Sequence, residues 1–281
     1  MIPPFITILI PLYNGVEFLR ESVASVFGQR GVTPTIWELL IGINGHPQNS
    51  AVYQQACFIV ADLREALPHG AQFQVRVIDM YDLPTRGKVA ALNAMVDKCM
   101  NPHSPYVALL DADDVWAPHK LATQIPYLFG AMRDGQVVRH AYDIVGTQCI
   151  YFGTGAGEKE GQSPPIPLGD LKSYDFFKGN PIINSSTIIR RQFAHWSPND
   201  EGIEDYGLWL SLKKQRATFY NCPEKMVRHR LHPESAFNSA QGNNAAKVTG
   251  LLARHRGDRG DCGDRGYINR LKKMGWVQFM R

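Results

Sequence analysis

The feature that most narrows what this chain can fold into is the alternation of short apolar runs with helical-period segments over its first half. Phe5 to Ile10 is a nearly continuous apolar and β-branched run, the pattern of a strand covered on both faces, as in a parallel sheet. Val16, Leu19, Val23, Val26 and Phe27 follow at helical spacing. Leu39 to Ile43 repeats the apolar run, and Val52, Ala56, Ile59, Val60 and Leu63 repeat the helical stripe. Val75 to Ile78 and Tyr106 to Leu110 read as further strands, with helices expected over 88–100 and 118–132. Strands alternating with helices predict an α/β fold, a mostly parallel Rossmann-like sheet flanked by helices.

The pattern loosens past about residue 150. Residues 153–169 are rich in Gly, Pro and charge and read as a mobile loop or inserted flap. A polar turn into Ser185 to Arg190, a helix from Glu204 to Lys214, and strand-like stretches at Ala217 to Tyr220 and Met226 to Leu231 suggest a smaller, mixed part. From Ser239 periodicity fades, apart from short helical stretches at 245–254 and 267–274.

Composition excludes several classes. With 44% apolar and 20% charged residues the chain is not disordered, and it has no apolar run long enough to span a membrane. The apolar start is not read as a secretion signal, because no basic residue precedes it and Pro3, Pro4 and Pro11 bracket it. Cys57, Cys99, Cys149, Cys222 and Cys262 lie far apart in odd number, which points to neither a disulfide framework nor a zinc site but to a reducing, cytoplasmic setting. The net charge of +4 hides an asymmetry: residues 1–206 hold 21 acidic against 15 basic side chains, and residues 207–281 hold 5 against 15. The basic end lacks interleaved aromatic platforms, so no nucleic-acid partner is expected; peripheral membrane contact through it stays open.

Open parallel sheets bind ligands at the carboxyl ends of their strands. Here those ends carry Tyr13 and Asn14, Asn44, Asp79 and Asp111, residues that would equally serve to begin loops and cap helices. Asp111-Ala112-Asp113-Asp114 crowds three carboxylates into four residues; such crowding calls for a cation or backbone donors. The choices are oxygen ligation of a hard divalent ion or an acidic cap for the next helix. Glu204-Asp205 opens an amphipathic segment, either as a dipole-stabilised helix start or as a general base in a partly apolar pocket. Trp116 could stack on a ligand ring or sit in the core, and Asn184-Ser185-Ser186 could line a pocket or form a turn. Gly153-Thr154-Gly155-Ala156-Gly157 lacks the helix that a dinucleotide turn needs. The two Arg-Gly-Asp triplets at 256–261 read as solvated chain. His229 and His232 flank a turn before Pro233, and either could ligate a metal.

Taken in order, these pieces resemble the family-2 glycosyltransferases, inverting sugar-nucleotide enzymes of GT-A fold. The matching segments are Thr7 to Asn14, Trp37 to Ile41, Arg86 to Asn93, Leu110 to Asp114, Glu204 to Leu210 and Arg230 to Ser235, so the resemblance spans roughly residues 5–238. It implies a GT-A domain over 1–238, with a nucleotide-binding half (1–115) and an acceptor-side half (116–238), followed by a basic extension (239–281). It implies that Asp111 contacts the donor ribose or base, with Pro11, Tyr13, Asn14, Asn44, Asp79 and Lys88 around the nucleotide. Asp113, with His232, would hold Mn²⁺ or Mg²⁺. Asp205 would be the catalytic base with Glu204 beside it, and Trp116, Asn184 and Ser185 would line the sugar and acceptor pocket. The resemblance implies a nucleotide-sugar donor, UDP-linked first and GDP-linked second, and a glycan or other hydroxyl compound as acceptor. One departure stands out. Where the family usually has two aspartates after the second strand, this chain has Ile43-Asn44, which removes the charge and leaves an amide that can donate and accept. A non-catalytic nucleotide- or carbohydrate-binding module and a sugar-phosphate nucleotidyltransferase are the rival readings.

Overall fold

The computed structural model describes residues 5–33, 36–67, 74–133, 136–139, 141–233 and 244–256. The first half follows the apolar pattern closely. Strand β1 (Ile6–Leu12) leads to helix α1 (Leu19–Phe27), β2 (Trp37–Ile43) to α2 (Ala51–Glu65), and β3 (Gln74–Asp79) to α3 (Lys88–Ala94). A π-helical turn, Met95–Cys99, continues α3 before β4 (Tyr106–Leu109). Every residue of β2 and β4 is buried, which is why these strands show no polar alternation.

After β4 come β5 (Val115–Trp116), α4 (Lys120–Phe129), and a separate two-stranded hairpin of β6 (Ala131–Arg133) and β7 (Gln136–Arg139). The helix expected over 118–132 ends early at Gly130, whose φ of 68° turns the chain into that hairpin. Then follow β8 (Ile144–Phe152), β9 (Gly169–Asp170), β10 (Ile188–Arg190), α5 (Glu204–Lys214), β11 (Phe219–Arg230) and α6 (Asn244–Arg256). Helix α5 has the expected bounds. Its acidic first turn and its Lys213 and Lys214 in the last turn both complement the helix dipole. The two strand-like stretches after it join into one strand, β11. Strand β8 was not evident in the sequence because Gly146, Thr147 and Gln148 interrupt its apolar run. A Cβ on Gly146 would lie 2.7 Å from both Asn221 Oδ1 and Ile182 Cγ2, so close packing excludes a side chain there.

One nine-stranded sheet runs through the molecule in the order β3-β2-β1-β4-β10-β8-β11-β5, with β9 paired to β11. Strands β1 to β4 are mutually parallel, and β10 is antiparallel to both β4 and β8. Two reversals restore direction: β8, and β11 parallel to it, run the same way as β4. The end of β11 therefore reaches the same rim as the ends of β1 to β4. The sheet is continuous across residues 115 and 116, which both lie in β5. Part of the stretch expected as an extension, α6, buries Val248, Leu251 and Leu252 in the core beside Tyr206 and Trp209. The helical stretch expected at 267–274 and most of the Arg-Gly-Asp segment lie outside the described residues. No described helix is long and apolar enough to cross a membrane.

Trp209 ties these layers together. It is fully buried, donates from Nε1 to the Ile182 carbonyl at 3.3 Å and packs edge-on against Phe219. Trp209→Ala should cost about 4 kcal/mol through cavity formation, read as a lowered urea midpoint.

Candidate active site

The strand ends open into a cleft of about 710 Å³. Pro11, Tyr13, Asn14, Asn44, Lys88, Asp111, Asp113, Asn184, Glu204, Asp205 and His232 all line it. Three other expected site residues do not. Asp79 accepts the Tyr81 amide at 2.9 Å at the end of β3 and lies outside the cleft. Trp116 is a core residue, 3% exposed, its indole donating to the Ser185 carbonyl at 2.7 Å and its ring lying 3.9 Å from the buried Lys120 ammonium. Ser185 is fully buried, and its hydroxyl accepts the Asp111 amide at 3.0 Å. Trp116 and Ser185 thus support the acidic turn from beneath; their side chains are spent on the protein's own backbone.

The three aspartates of that turn have separate environments. Lys88 Nζ lies 2.6 Å from Asp111 Oδ1 and 2.9 Å from Glu204 Oε1, and Asn184 Nδ2 donates to both Asp111 oxygens at 3.0 and 3.1 Å. Burial would raise the Asp111 carboxyl, but the Lys88 ammonium holds it below its ordinary value. Burial likewise works against the Lys88 charge, and Asp111 and then Glu204 overcome it, holding the ammonium well above the lysine range. Asp114 is fully buried; it receives His229 Nδ1 at 3.0 Å and the Arg230 amide at 2.8 Å. Burial opposes the His229 charge, yet Asp114 pushes its pKa up to about 9. Arg230 Nε donates to the Asp113 carbonyl at 2.7 Å, and Ser22 of α1 lies 2.6 Å from the Ala112 and Asp114 carbonyls.

Asp113 points elsewhere. Its Oδ2 lies 3.0 Å from His232 Nε2, with the two side chains 24% and 13% exposed. Among the described residues no group of three His, Cys, Asp or Glu could hold a metal by itself. A carboxylate and an imidazole facing one cleft fit a divalent ion whose other ligands are water and substrate phosphate, the usual state of bound Mg²⁺.

Asp205 sits at the start of α5. Burial first, and then the Glu204 charge, pushes its carboxyl up to about 6. Two cleft residues absent from the sequence expectations shape this end. Glu201 accepts the Lys88 and Val89 amides at 2.7 and 3.0 Å, pressing so close to Gly87 that a Cβ there would lie 2.7 Å from its Oε2. With a φ of 124° as well, position 87 takes only glycine. Asn180 donates to Asp205 Oδ2 at 2.7 Å. An isolated Asn carries no motif, and Glu201 is marked only by being near Glu204 and Asp205.

The family model for glycosyl transferase family 2 matches residues 7–195. The chain belongs to this family. Among curated proteins it is 24% identical over 260 residues to TuaG of Bacillus subtilis, a glycosyltransferase named for teichuronic acid biosynthesis, covering 89% of this chain and 88% of that protein. It is 23% identical over 234 residues to a glycosyltransferase of Methanocaldococcus jannaschii, MJ1057, covering 81% of this chain and 71% of that one. Among solved structures, TarS 1–349 of S. aureus with UDP-GlcNAc aligns at TM-score 0.61 and 13% identity, covering 95% of this chain and 72% of that one. The mannosyltransferase PcManGT of Pyrobaculum calidifontis, with GDP-Man and Mn²⁺, aligns at TM-score 0.57 and 14% identity, over 98% and 81% of the two chains. The fold is therefore the GT-A fold of glycosyltransferases, and the cleft occupies the carboxyl-end crevice of its sheet.

The Asp114–His229 pair gives a direct test. His229→Phe leaves a buried carboxylate without its cation and should cost about 3 kcal/mol. Because His229 is raised in the folded state, its contribution is complete below about pH 6.5 and fades as pH rises through about 9. Thermal midpoints across that range should slope downward in the wild type and flatten in the variant.

Proposed function

We propose that the protein transfers a sugar from a nucleoside diphosphate to an acceptor hydroxyl, inverting the anomeric configuration, with Asp205 as general base. The observation that carries this reading is that Asp205, with its carboxyl at about 6, and the Asp113–His232 pair open into one cleft. A base in that range is charged at neutral pH yet basic enough to take a hydroxyl proton, a contribution of about 10²–10⁴-fold. Lys88, between Asp111 and Glu204, would supply positive charge against a departing diphosphate. Asp113 and His232 would hold Mn²⁺ or Mg²⁺, which when bound supplies further charge against the leaving group. Solved GT-A structures carrying UDP-GlcNAc or GDP-Man with Mn²⁺ support a nucleotide-sugar donor, UDP-linked first and GDP-linked second. Asn44 turns its Nδ2 to the Gly87 carbonyl at 2.7 Å, and its buried Oδ1 has no partner among the described residues; this supports a donor-side role for that amide.

Nucleoside diphosphates screened by thermal shift, with and without Mn²⁺, should raise the melting midpoint together with the metal; Asp113→Asn should abolish the metal's increment. Asp205→Asn should retain that shift and lose transfer, measured as nucleoside diphosphate release. In the wild type, turnover should fall as pH drops through about 6, where Asp205 takes up a proton. Product NMR showing a retained anomeric configuration would reject the inverting scheme.

A further inference from the structure

Asp205 is partly buried beside a like charge, and a carboxylate so placed tends either to pick up a proton or to rotate away. Asn180 opposes both. It lies between the 3₁₀ turns Phe176–Lys178 and Asn184–Ser186 and lines the cleft. Its Nδ2 donates to Asp205 Oδ2 at 2.7 Å. Its Oδ1 accepts the Ile182 amide at 3.4 Å, which sets the orientation of the group; the reversed amide would set acceptor against acceptor at Asp205 and donor against donor at Ile182. The other carboxylate oxygen, Oδ1, accepts the Tyr206 amide at 2.7 Å. One donor on each oxygen fixes the plane of the carboxylate, while each oxygen keeps further lone-pair capacity for an incoming hydroxyl.

We propose that Asn180 is a positioning residue of the transfer reaction, holding the Asp205 carboxylate charged and in the plane from which it meets the acceptor. This rests on Asp205 being the base. The charged groups facing Asp205 are Glu204 on its own helix and Lys88 from α3. Asp111, Lys178 and Glu201 line the same cleft, and Lys247 of α6 reaches the Glu201 carbonyl. Asn180 adds a neutral side-chain donor beside them, so it stabilises the carboxylate without joining it in an ion pair. A purely structural tie is not what this bond supplies. The Tyr206 hydroxyl on the Phe176 carbonyl at 2.6 Å and the Trp209 indole on the Ile182 carbonyl already fasten this segment to α5.

Asn180→Ala and Asn180→Asp test the assignment, with Asp205→Asn beside them. The assay follows nucleoside diphosphate release in Mn²⁺ from whichever of UDP-glucose, UDP-GlcNAc and GDP-mannose the wild type turns over. Asn180→Ala should lower kcat roughly ten- to a hundredfold, the worth of a hydrogen bond to a charged group, with donor KM within twofold. Its acid limb should shift to higher pH, so that activity partly recovers in alkali. Asn180→Asp, which adds a carboxylate at this distance, should shift the limb further. An unchanged kcat and limb in Asn180→Ala while Asp205→Asn is inactive would overturn the role of Asn180 alone. A fall in kcat with an unmoved limb and a lowered melting midpoint would overturn it too, as a structural tie. Activity retained in Asp205→Asn would instead remove the base on which the inference rests.

Discussion

The docking of the end of β11 onto the acidic turn after β4 is the contact on which the rest depends. Asp114 is fully buried, and a buried carboxylate persists only with partners. His229 and the Arg230 amide supply them, and Arg230 also reaches the Asp113 carbonyl and Glu21. These bonds join residues more than a hundred positions apart, and they bring His232 to Asp113. Strand pairing of β11 with β8 and β5 brings the two halves of the rim together, and these bonds set the end of β11 against the acidic turn.

The cleft then separates its carboxylates by environment. Asp111, against Lys88 and Asn184, is held low, whereas Asp205, desolvated beside Glu204, is pushed up to about 6. Paired carboxylates driven in opposite directions are the usual way one site provides both a permanent anion and a usable base. Lys88 links the two regions through Asp111 and Glu204. Glu201 in turn fixes the turn that carries Lys88. The Asp111 and Glu204 sides of the cleft are thereby connected by a short chain of charge.

Much of the first half was readable because parallel strands buried on both faces leave an unbroken apolar trace. The ends of β1, β2 and β4 do supply Tyr13, Asn44 and Asp111 to the cleft. The second half was harder. Strand β8 hides behind Gly146, Thr147 and Gln148, residues that are tolerated because β11 and neighbouring turns cover them. Trp116, Ser185 and Asp79 carry suitable chemistry at suitable positions in the chain, yet each is used locally: the first two beneath the acidic turn, the third on the Tyr81 amide.

By itself the amino-acid sequence determined the parallel α/β half, the acidic turn and the start of α5, because hydrophobic period and charge crowding are local properties of the chain. Only the tertiary structure decided which carboxylate pairs with Lys88, which with His229 and which with His232. It also decided that Asn180, a residue outside every motif, donates a hydrogen bond to Asp205. Those choices depend on two reversals of strand direction, through β10, that leave β8 and β11 running the same way as β4, an arrangement whose partners lie far apart in the chain.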